Sequence, residues 1–219
     1  MRFSERVSEL VHSPIGAAHA LVGLRTNDRP LLDLSQAAPS FPPAEAVTNR
    51  IAEVVSEPDS GRYPPQPGLP ELRAAFAEDL TSGYAAEISP DSVLITAGCN
   101  QAFCVVASAL TAPGDEALLV APFYFNHDMW LKIEVVKVRY LNPGDGLIPD
   151  VQQAQSLITE RTKLITLVTP GNPTGVTIPS DVIHEFAELA ARNDLALIVD
   201  ETYRSCLLYT SDAADDMHV

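Results

Sequence analysis

The chain is poor in cysteine, basic residues and long apolar runs, and each shortage argues against a class of protein. Its three cysteines, Cys99, Cys104 and Cys206, fit neither a disulfide framework nor a zinc site, and we expect no bound metal. Lysine and arginine number 14 against 29 acidic residues, a formal net charge of −15. Without a basic stripe to neutralise phosphates, nucleic acid is not an expected partner.

Long apolar segments are also missing. No stretch reaches the roughly 20 apolar residues that a membrane span needs, and the first residues lack the apolar core of a signal peptide. We therefore expect a soluble cytoplasmic protein with no membrane partner.

The chain does contain enough apolar residues, 46% of its 219, to bury a substantial core. Apolar runs of strand length alternate with segments of helical periodicity. This alternation predicts an α/β fold, a three-layer α/β/α sandwich with a mostly parallel sheet. The predicted strands cover residues 91–96, 116–121, 134–140, 164–168 and 195–199. The predicted helices cover residues 3–12, 44–55, 70–83, 100–110, 151–158 and 179–192.

Polar segments follow the last two predicted strands. Residues 169–175 read Thr-Pro-Gly-Asn-Pro-Thr-Gly, and residues 200–203 read Asp-Glu-Thr-Tyr. Because the carboxyl ends of parallel strands border the crevice in which open α/β sheets bind ligands, Asn172, Asp200 and Tyr203 should share that crevice. An amide, a carboxylate and a phenol are suited to holding a polar aromatic ring.

A glycine stands where the predicted strand 91–96 passes into a helix, in the segment Ala97-Gly98-Cys99-Asn100. Glycine there lets an anion approach the free N–H groups at the positive end of the helix, although it also serves tight strand–helix packing. The Gly-x-Gly-x-x-Gly fingerprint of dinucleotide-binding proteins is absent, which disfavours a generic nucleotide-binding module.

Two further segments contribute aromatic residues. Tyr63 begins the pattern Tyr-x-x-x-x-Gly-x-x-x-Leu-Arg, and Tyr124 closes Pro-Phe-Tyr after the predicted strand 116–121. Together with Gly98, Asn-Pro-x-Gly at 172–175 and Asp-x-x-Tyr at 200–203, these segments resemble the class I/II (fold-type I) pyridoxal-phosphate (PLP) aminotransferases. The resemblance covers roughly residues 20–204.

The resemblance implies PLP as the cofactor and a role for each motif residue. Gly98 would let the phosphate approach, backbone amides near Cys99 and Asn100 would hold it, and Tyr124 would stack on the pyridine ring. Each also has a structural alternative, such as a core aromatic for Tyr124.

The remaining implied roles concern the edge of the ring and the neighbouring subunit. Asn172 and Tyr203 would bond the ring's phenolate oxygen. Asp200, the expected catalytic residue, would keep the ring nitrogen protonated, although an aspartate at a strand end also caps helices. Tyr63 would reach the phosphate of a partner subunit, which implies a homodimer, although it also suits an ordinary turn.

Ala37 and Ala38 stand where the family usually shows a glycine near the substrate carboxylate, so substrate contact there is expected to be weak. The family's Schiff-base lysine, in a Ser-x-x-Lys-type segment beyond Tyr203, is not found before the chain ends. We therefore expect the 219-residue chain by itself to be inactive.

The expected domain organisation has three parts. Residues 1–45 would form an N-terminal arm and a segment of the small domain, and residues 46–204 an incomplete PLP-binding large domain. Residues 205–219 resemble a translated transposon-end adaptor from sequencing-library preparation, which predicts an artefactual tail.

The implied activity moves an amino group between an amino acid and a 2-oxo acid. A PLP-dependent lyase of the same fold, of the C–S lyase or aminocyclopropane-carboxylate synthase type, shares every motif. A third possibility is the non-enzymatic, aminotransferase-like sensor domain of a transcription regulator, which would carry a winged-helix domain upstream.

Overall fold

The computed structural model describes residues 4–8, 13–26, 28–32, 36, 41–84 and 86–206. Ala37, Ala38 and residues 207–219 lie outside the described residues. The described chain divides into two compact units: the first combines residues from Met1–Val11 and Ala97–Val219, and the second lies within His12–Thr96. The domain boundaries expected at residues 45 and 204 stay predictions.

A four-stranded parallel sheet forms the centre of the first unit. Its strands are β1 (Glu116–Val120), β2 (Lys137–Leu141), β3 (Thr162–Val168) and β4 (Ala196–Asp200), in the order β2-β1-β3-β4. Glu116 pairs with Lys137 on one side of β1, and Leu164 pairs with Ala196 across β3 and β4. From β1 the chain moves to one side for β2 and then to the other side for β3. Such a reversal creates a crevice at the carboxyl ends of the strands.

Helices cover both faces of this sheet. Helices are numbered in chain order, so α2 (Pro14–Val22), α3 (Glu45–Val55) and α4 (Pro70–Tyr84) belong to the second unit. The first unit contains α1 (Glu5–Ser8), α5 (Cys99–Leu110), α6 (Phe125–Ile133), α7 (Val151–Leu157) and α8 (Ser180–Arg192). Leu118 and Ile165 pack with Phe186 of α8, whereas Leu119 and Leu164 pack with Phe103 of α5. Because successive strand residues point to opposite faces, the continuous apolar runs fill two cores. The predicted three-layer α/β/α arrangement is confirmed.

The local predictions missed one helix, misplaced the start of β2 and included a strand that the described residues do not form. Helix α6 was not predicted, and β2 begins at Lys137 rather than at residue 134, because Val135 has a positive φ of 61° in the turn between them. The predicted strand at 91–96 is not found among the described residues. The N–H of Ile95 donates to the Pro67 carbonyl over 2.9 Å, and Pro90–Ser92 forms a 3₁₀ turn.

The second unit contains α2 (Pro14–Val22), α3 (Glu45–Val55) and α4 (Pro70–Tyr84). Arg73 ties α4 to the segment that follows it, donating to the carbonyls of Val93 and Pro90 over 2.8 and 2.7 Å. Gly68 has a φ of 106°, and a Cβ there would lie 2.5 Å from Ile95 Cγ1. The local structure therefore explains why Gly68 and Arg73 occur in the segment 63–73. No helix in the described part of the chain is long and apolar enough to cross a membrane.

Candidate active site

One cavity of about 240 Å³ brings together most of the predicted site residues. It lies in the first unit, where β3 and β4 end, α5 begins and the loop after β1 passes. Its lining consists of Gly98, Cys99, Asn100, Tyr124, Val168, Asn172, Asp200, Thr202 and Tyr203. The switch point of the sheet thus gathers residues that are widely separated in sequence.

The beginning of α5 forms an anion seat, by which we mean the backbone N–H groups of its first turn at Cys99 and Asn100. Gly98 precedes the helix with a φ of 87°, and as the N-cap residue it provides no side-chain hydrogen bond to the first turn. A Cβ at Gly98 would meet nothing within 4 Å, so the backbone angle rather than tight packing favours glycine here. Uncapped N–H groups at a helix N-terminus favour a phosphate or carboxylate.

Asp200 ends β4 with both carboxylate oxygens hydrogen-bonded, and its side chain is only 12% exposed. The Nε2–H of His127 donates to Oδ2 over 3.2 Å, and the Thr202 hydroxyl donates to Oδ1 over 2.6 Å. Burial by itself raises the pKa of Asp200, but these hydrogen bonds outweigh burial and bring it below the usual value. The carboxylate is therefore held ionised inside the cavity.

His127 was not predicted as a site residue, yet it connects several parts of the site. Its side chain is 1% exposed, and its ring stacks on Phe103 of α5 with centroids 3.9 Å apart. It also meets the Tyr124 ring edge-on at 5.3 Å. Tyr124 and His127 stand three residues apart, a spacing that places residues on one helix face, but this signal could be used only if α6 were predicted, and it was not.

Three other side chains offer contacts to a ring. The Tyr124 hydroxyl accepts from Asn126 Nδ2 over 2.7 Å, which fixes the aromatic face. Asn172 and Tyr203 line the same cavity, which therefore offers a ligand an amide and a phenol. The peptide bond between Asn172 and Pro173 is cis.

The donor set fits PLP: an anion seat for the phosphate, an aromatic face, two groups for a ring oxygen and a carboxylate for a ring nitrogen. Tyr63 lies in the second unit and is fully exposed. Ala37 and Ala38 are outside the described residues. The roles proposed for these three therefore stay predictions.

A switch-point cavity with an anion seat and a half-buried carboxylate defines an α/β domain suited to a phosphorylated ring. The chain belongs to the family "Aminotransferase class I and II", whose model matches residues 29–217. It is 31% identical to the aspartate/prephenate aminotransferase of Thermus thermophilus and 32% identical to the probable aspartate/prephenate aminotransferase of Thermus aquaticus. These matches cover 95% and 91% of this chain, and 54% and 53% of the relatives.

Solved structures give the same picture. The aspartate aminotransferase from Thermus thermophilus with maleate matches 92% of this chain with a TM-score of 0.84 and 29% identity. Alanine aminotransferase from Pyrococcus furiosus matches 92% with a TM-score of 0.86 and 27% identity. This chain covers 53% and 52% of those two chains. It thus spans about half the length of the relatives that it matches.

Proposed function

We propose that this chain binds PLP in the cavity around Asp200, and that its protein moves an amino group between an amino acid and a 2-oxo acid. The observation that carries the proposal is the Asp200 carboxylate, which is hydrogen-bonded by His127 and Thr202 and lines one cavity together with the anion seat of α5. When bound, PLP supplies an electron sink whose strength depends on a protonated ring nitrogen.

Asp200 would hold the proton on that nitrogen through a charge-assisted hydrogen bond. His127 would act on Asp200 rather than on the substrate, because its Nε2 bonds the carboxylate and its ring is enclosed by Phe103 and Tyr124. Tyr124 would lie against the ring face, while Asn172 and Tyr203 would bond the ring oxygen. These residues bind and orient the ring.

We further propose a homodimer, supported by exposed residues of the second unit. Tyr63 and the α3 residues Val47, Ile51 and Val55 are all exposed to solvent. Exposed apolar residues on one helix suit a protein–protein contact, and the phenol of Tyr63 suits a phosphate in the partner's anion seat. We also propose a cytoplasmic location, which the free cysteines of the described chain support, since reducing compartments keep thiols unpaired.

Cofactor binding can be tested on the 219-residue chain. The probe is 4′-deoxypyridoxine 5′-phosphate, which keeps the ring and the phosphate but lacks the aldehyde and so needs no lysine. Isothermal titration should show saturable binding by the wild-type chain. Insertion of a side chain at the anion seat through Gly98→Val should weaken binding at least tenfold, because a β-branched residue disfavours the positive φ. Equal binding by both proteins would refute the anion seat.

The activity test uses a chimera that continues this chain after Tyr203 with the corresponding C-terminal part of the Thermus thermophilus relative. Asp200→Ala should reduce amino transfer at saturating PLP by about 100-fold or more, because its stabilisation is greatest in the transition state. Binding of PLP should weaken far less, since the anion seat, Tyr124 and Asn172 remain. Near wild-type turnover by the PLP-saturated Asp200→Ala chimera would refute the role of Asp200.

A further inference from the structure

Thr202 occupies one of the two unspecified positions of Asp-x-x-Tyr and makes two hydrogen bonds to the same oxygen of Asp200. Its backbone N–H donates to Oδ1 over 3.0 Å, and its hydroxyl donates to Oδ1 over 2.6 Å. The shorter distance lies in the range of charge-assisted O–H···O⁻ bonds. His127 bonds the other oxygen, Oδ2, so the two ends of the carboxylate are held from different parts of the fold.

We propose that Thr202 is a positioning residue, whose hydroxyl fixes the Asp200 carboxylate in the orientation that receives the N–H of a pyridine ring. This inference rests on the proposed function, because the ring is that of PLP. Thr202 lines the same cavity as Asp200, so the hydroxyl acts at the wall that a ring would meet.

The physical reason is the freedom of the aspartate side chain. The terminal torsion of aspartate is broad, so the plane of the carboxylate depends on the contacts at both of its oxygens. At Oδ1 the hydroxyl bond of 2.6 Å is shorter than the backbone bond of 3.0 Å, so the hydroxyl is the stronger of the two contacts that set the plane there. The hydrogen bond from the ring N–H to Asp200 depends steeply on angle. If the plane of the carboxylate is no longer fixed, this hydrogen bond weakens although the charge of Asp200 remains.

The hydroxyl and the backbone N–H can be separated by substitution. Thr202→Val keeps the shape of the side chain and the backbone bond but removes the hydroxyl donor, whereas Thr202→Ser keeps a hydroxyl. Thr202 is exposed, so neither change is expected to unfold the chain. Thr177 is an exposed threonine that does not line the cavity, and Thr177→Val is the matched control.

Two probes measure the contact between Asp200 and the ring nitrogen. The first is 4′-deoxypyridoxine 5′-phosphate, and the second is its 1-deaza analogue, in which C–H replaces the ring nitrogen. The ratio of their affinities for the 219-residue chain measures the contribution of the ring nitrogen to binding, separately from the contributions of the phosphate and the ring face. Thr202→Val should reduce the preference for the first probe about threefold to tenfold. Thr202→Ser and Thr177→Val should keep it within about twofold.

The second readout needs no ligand. The carboxyl ¹³C signal of Asp200 can be followed against pH in each variant. Hydrogen bonds from His127 and Thr202 lower the pKa of Asp200 against the effect of burial, so Thr202→Val should raise that pKa and Thr202→Ser should restore it. A purely structural role for Thr202 would not produce this pattern of loss and rescue.

The outcomes separate the two proposals. If Thr202→Val leaves both the probe ratio and the Asp200 titration unchanged, the positioning role is overturned. The role is also overturned if Thr202→Val weakens both probes equally, because the damage would then lie outside the ring nitrogen. If the wild-type chain binds neither probe, the proposed cofactor fails, and with it the ring-directed role, while the titration still decides whether the hydroxyl holds the carboxylate.

Discussion

The two compact units place their apolar side chains differently. In the first unit, leucine, isoleucine and phenylalanine residues fill two cores on opposite faces of the sheet. In the second unit, only Ala77 and Val93 are buried among the described residues, while Val47, Ile51 and Val55 of α3 are exposed. The first unit is therefore stabilised by its own packing, and the second presents apolar surface suited to a partner.

Charged residues show the same contrast. Glu116 at the start of β1 is buried and is bonded by Arg139, Lys137 and the Thr159 hydroxyl. In α3, Arg50 and Glu53 form an exposed pair at 3.1 Å. Ion pairs of the second kind contribute little, because water and salt screen them. By contrast, removing any one partner of a buried acid such as Glu116 is expected to destabilise the first unit.

The largest expected effect compares two leucines. Leu118→Ala in β1, where the residue is 1% exposed, should lower the free energy of unfolding by about 2–5 kcal/mol through lost burial and an unfilled cavity. Leu72→Ala in α4, where the residue is 48% exposed, should lower it by less than about 1 kcal/mol. Urea denaturation of both variants provides the measurement. Comparable losses would remove the contrast between the units.

The second comparison concerns the two acids. Glu116→Gln should reduce the free energy of unfolding at pH 7 by about 1–3 kcal/mol, because Arg139 and Lys137 lose their charged partner. Glu53→Gln should cost less than about 0.5 kcal/mol. Chemical denaturation at low and high salt tests both, with the Glu53 variant as control. If added salt abolished the Glu116 effect, its ion pairs would behave as exposed ones.

Lowering the pH should also remove the charge of Glu116, by protonating its carboxylate. The Arg139 hydrogen bond lowers its pKa from 4.5 to about 2, against the effect of burial and with help from Thr159 and Lys137. A lowered folded-state pKa means that the stabilisation is complete above pH 4.5 and is lost as the pH falls towards about 2. The stability difference between wild type and Glu116→Gln should therefore shrink across this window. A difference that stays constant would contradict the lowered pKa.

A smaller effect is expected from Tyr124, which belongs to the first unit and acts on ligand binding. Tyr124→Ala should weaken binding of 4′-deoxypyridoxine 5′-phosphate about tenfold, because an aromatic face is lost. Tyr124→Phe keeps the face and should bind within about threefold of wild type. Isothermal titration distinguishes the two. If Tyr124→Phe were as weak as Tyr124→Ala, the hydroxyl and its bond to Asn126 would matter more than stacking.

The smallest expected effect concerns Tyr63, an exposed residue of the second unit. Tyr63→Ala should change the free energy of unfolding by less than about 0.5 kcal/mol, since Tyr63 is fully exposed. It should weaken probe binding only at protein concentrations where the chain self-associates, as judged by light scattering. Equal weakening in dilute, monomeric samples would show that Tyr63 does not act between subunits.

The sequence predicted the central strands well and the margins poorly. Strands β1 and β3 lie within a few residues of the predicted ranges, because these central parallel strands are buried and appear as continuous apolar runs, and the half-buried edge strand β4 also lies close to its predicted range. Helix α6 mixes aromatic, polar and charged residues, and the burial of His127 and Asp128 depends on neighbours distant in sequence. Residues 91–96 have an apolar pattern, but the Val93 N–H donates to the Pro90 carbonyl within a turn, and the Ile95 N–H donates to the Pro67 carbonyl of a loop.

The sequence by itself determined the α/β/α architecture and the strand ends at which Tyr124, Asn172 and Asp200 stand, because apolar periodicity and short motifs are local properties. Only the tertiary structure decided that His127 bonds Asp200. His127 comes from α6, and the parallel crossovers bring it within hydrogen-bonding distance of the carboxylate, whereas Thr202, two residues after Asp200, reaches the carboxylate through the local turn. Hydrogen bonds act over a few ångströms in space, so distance along the chain conceals such partners until the sheet is assembled.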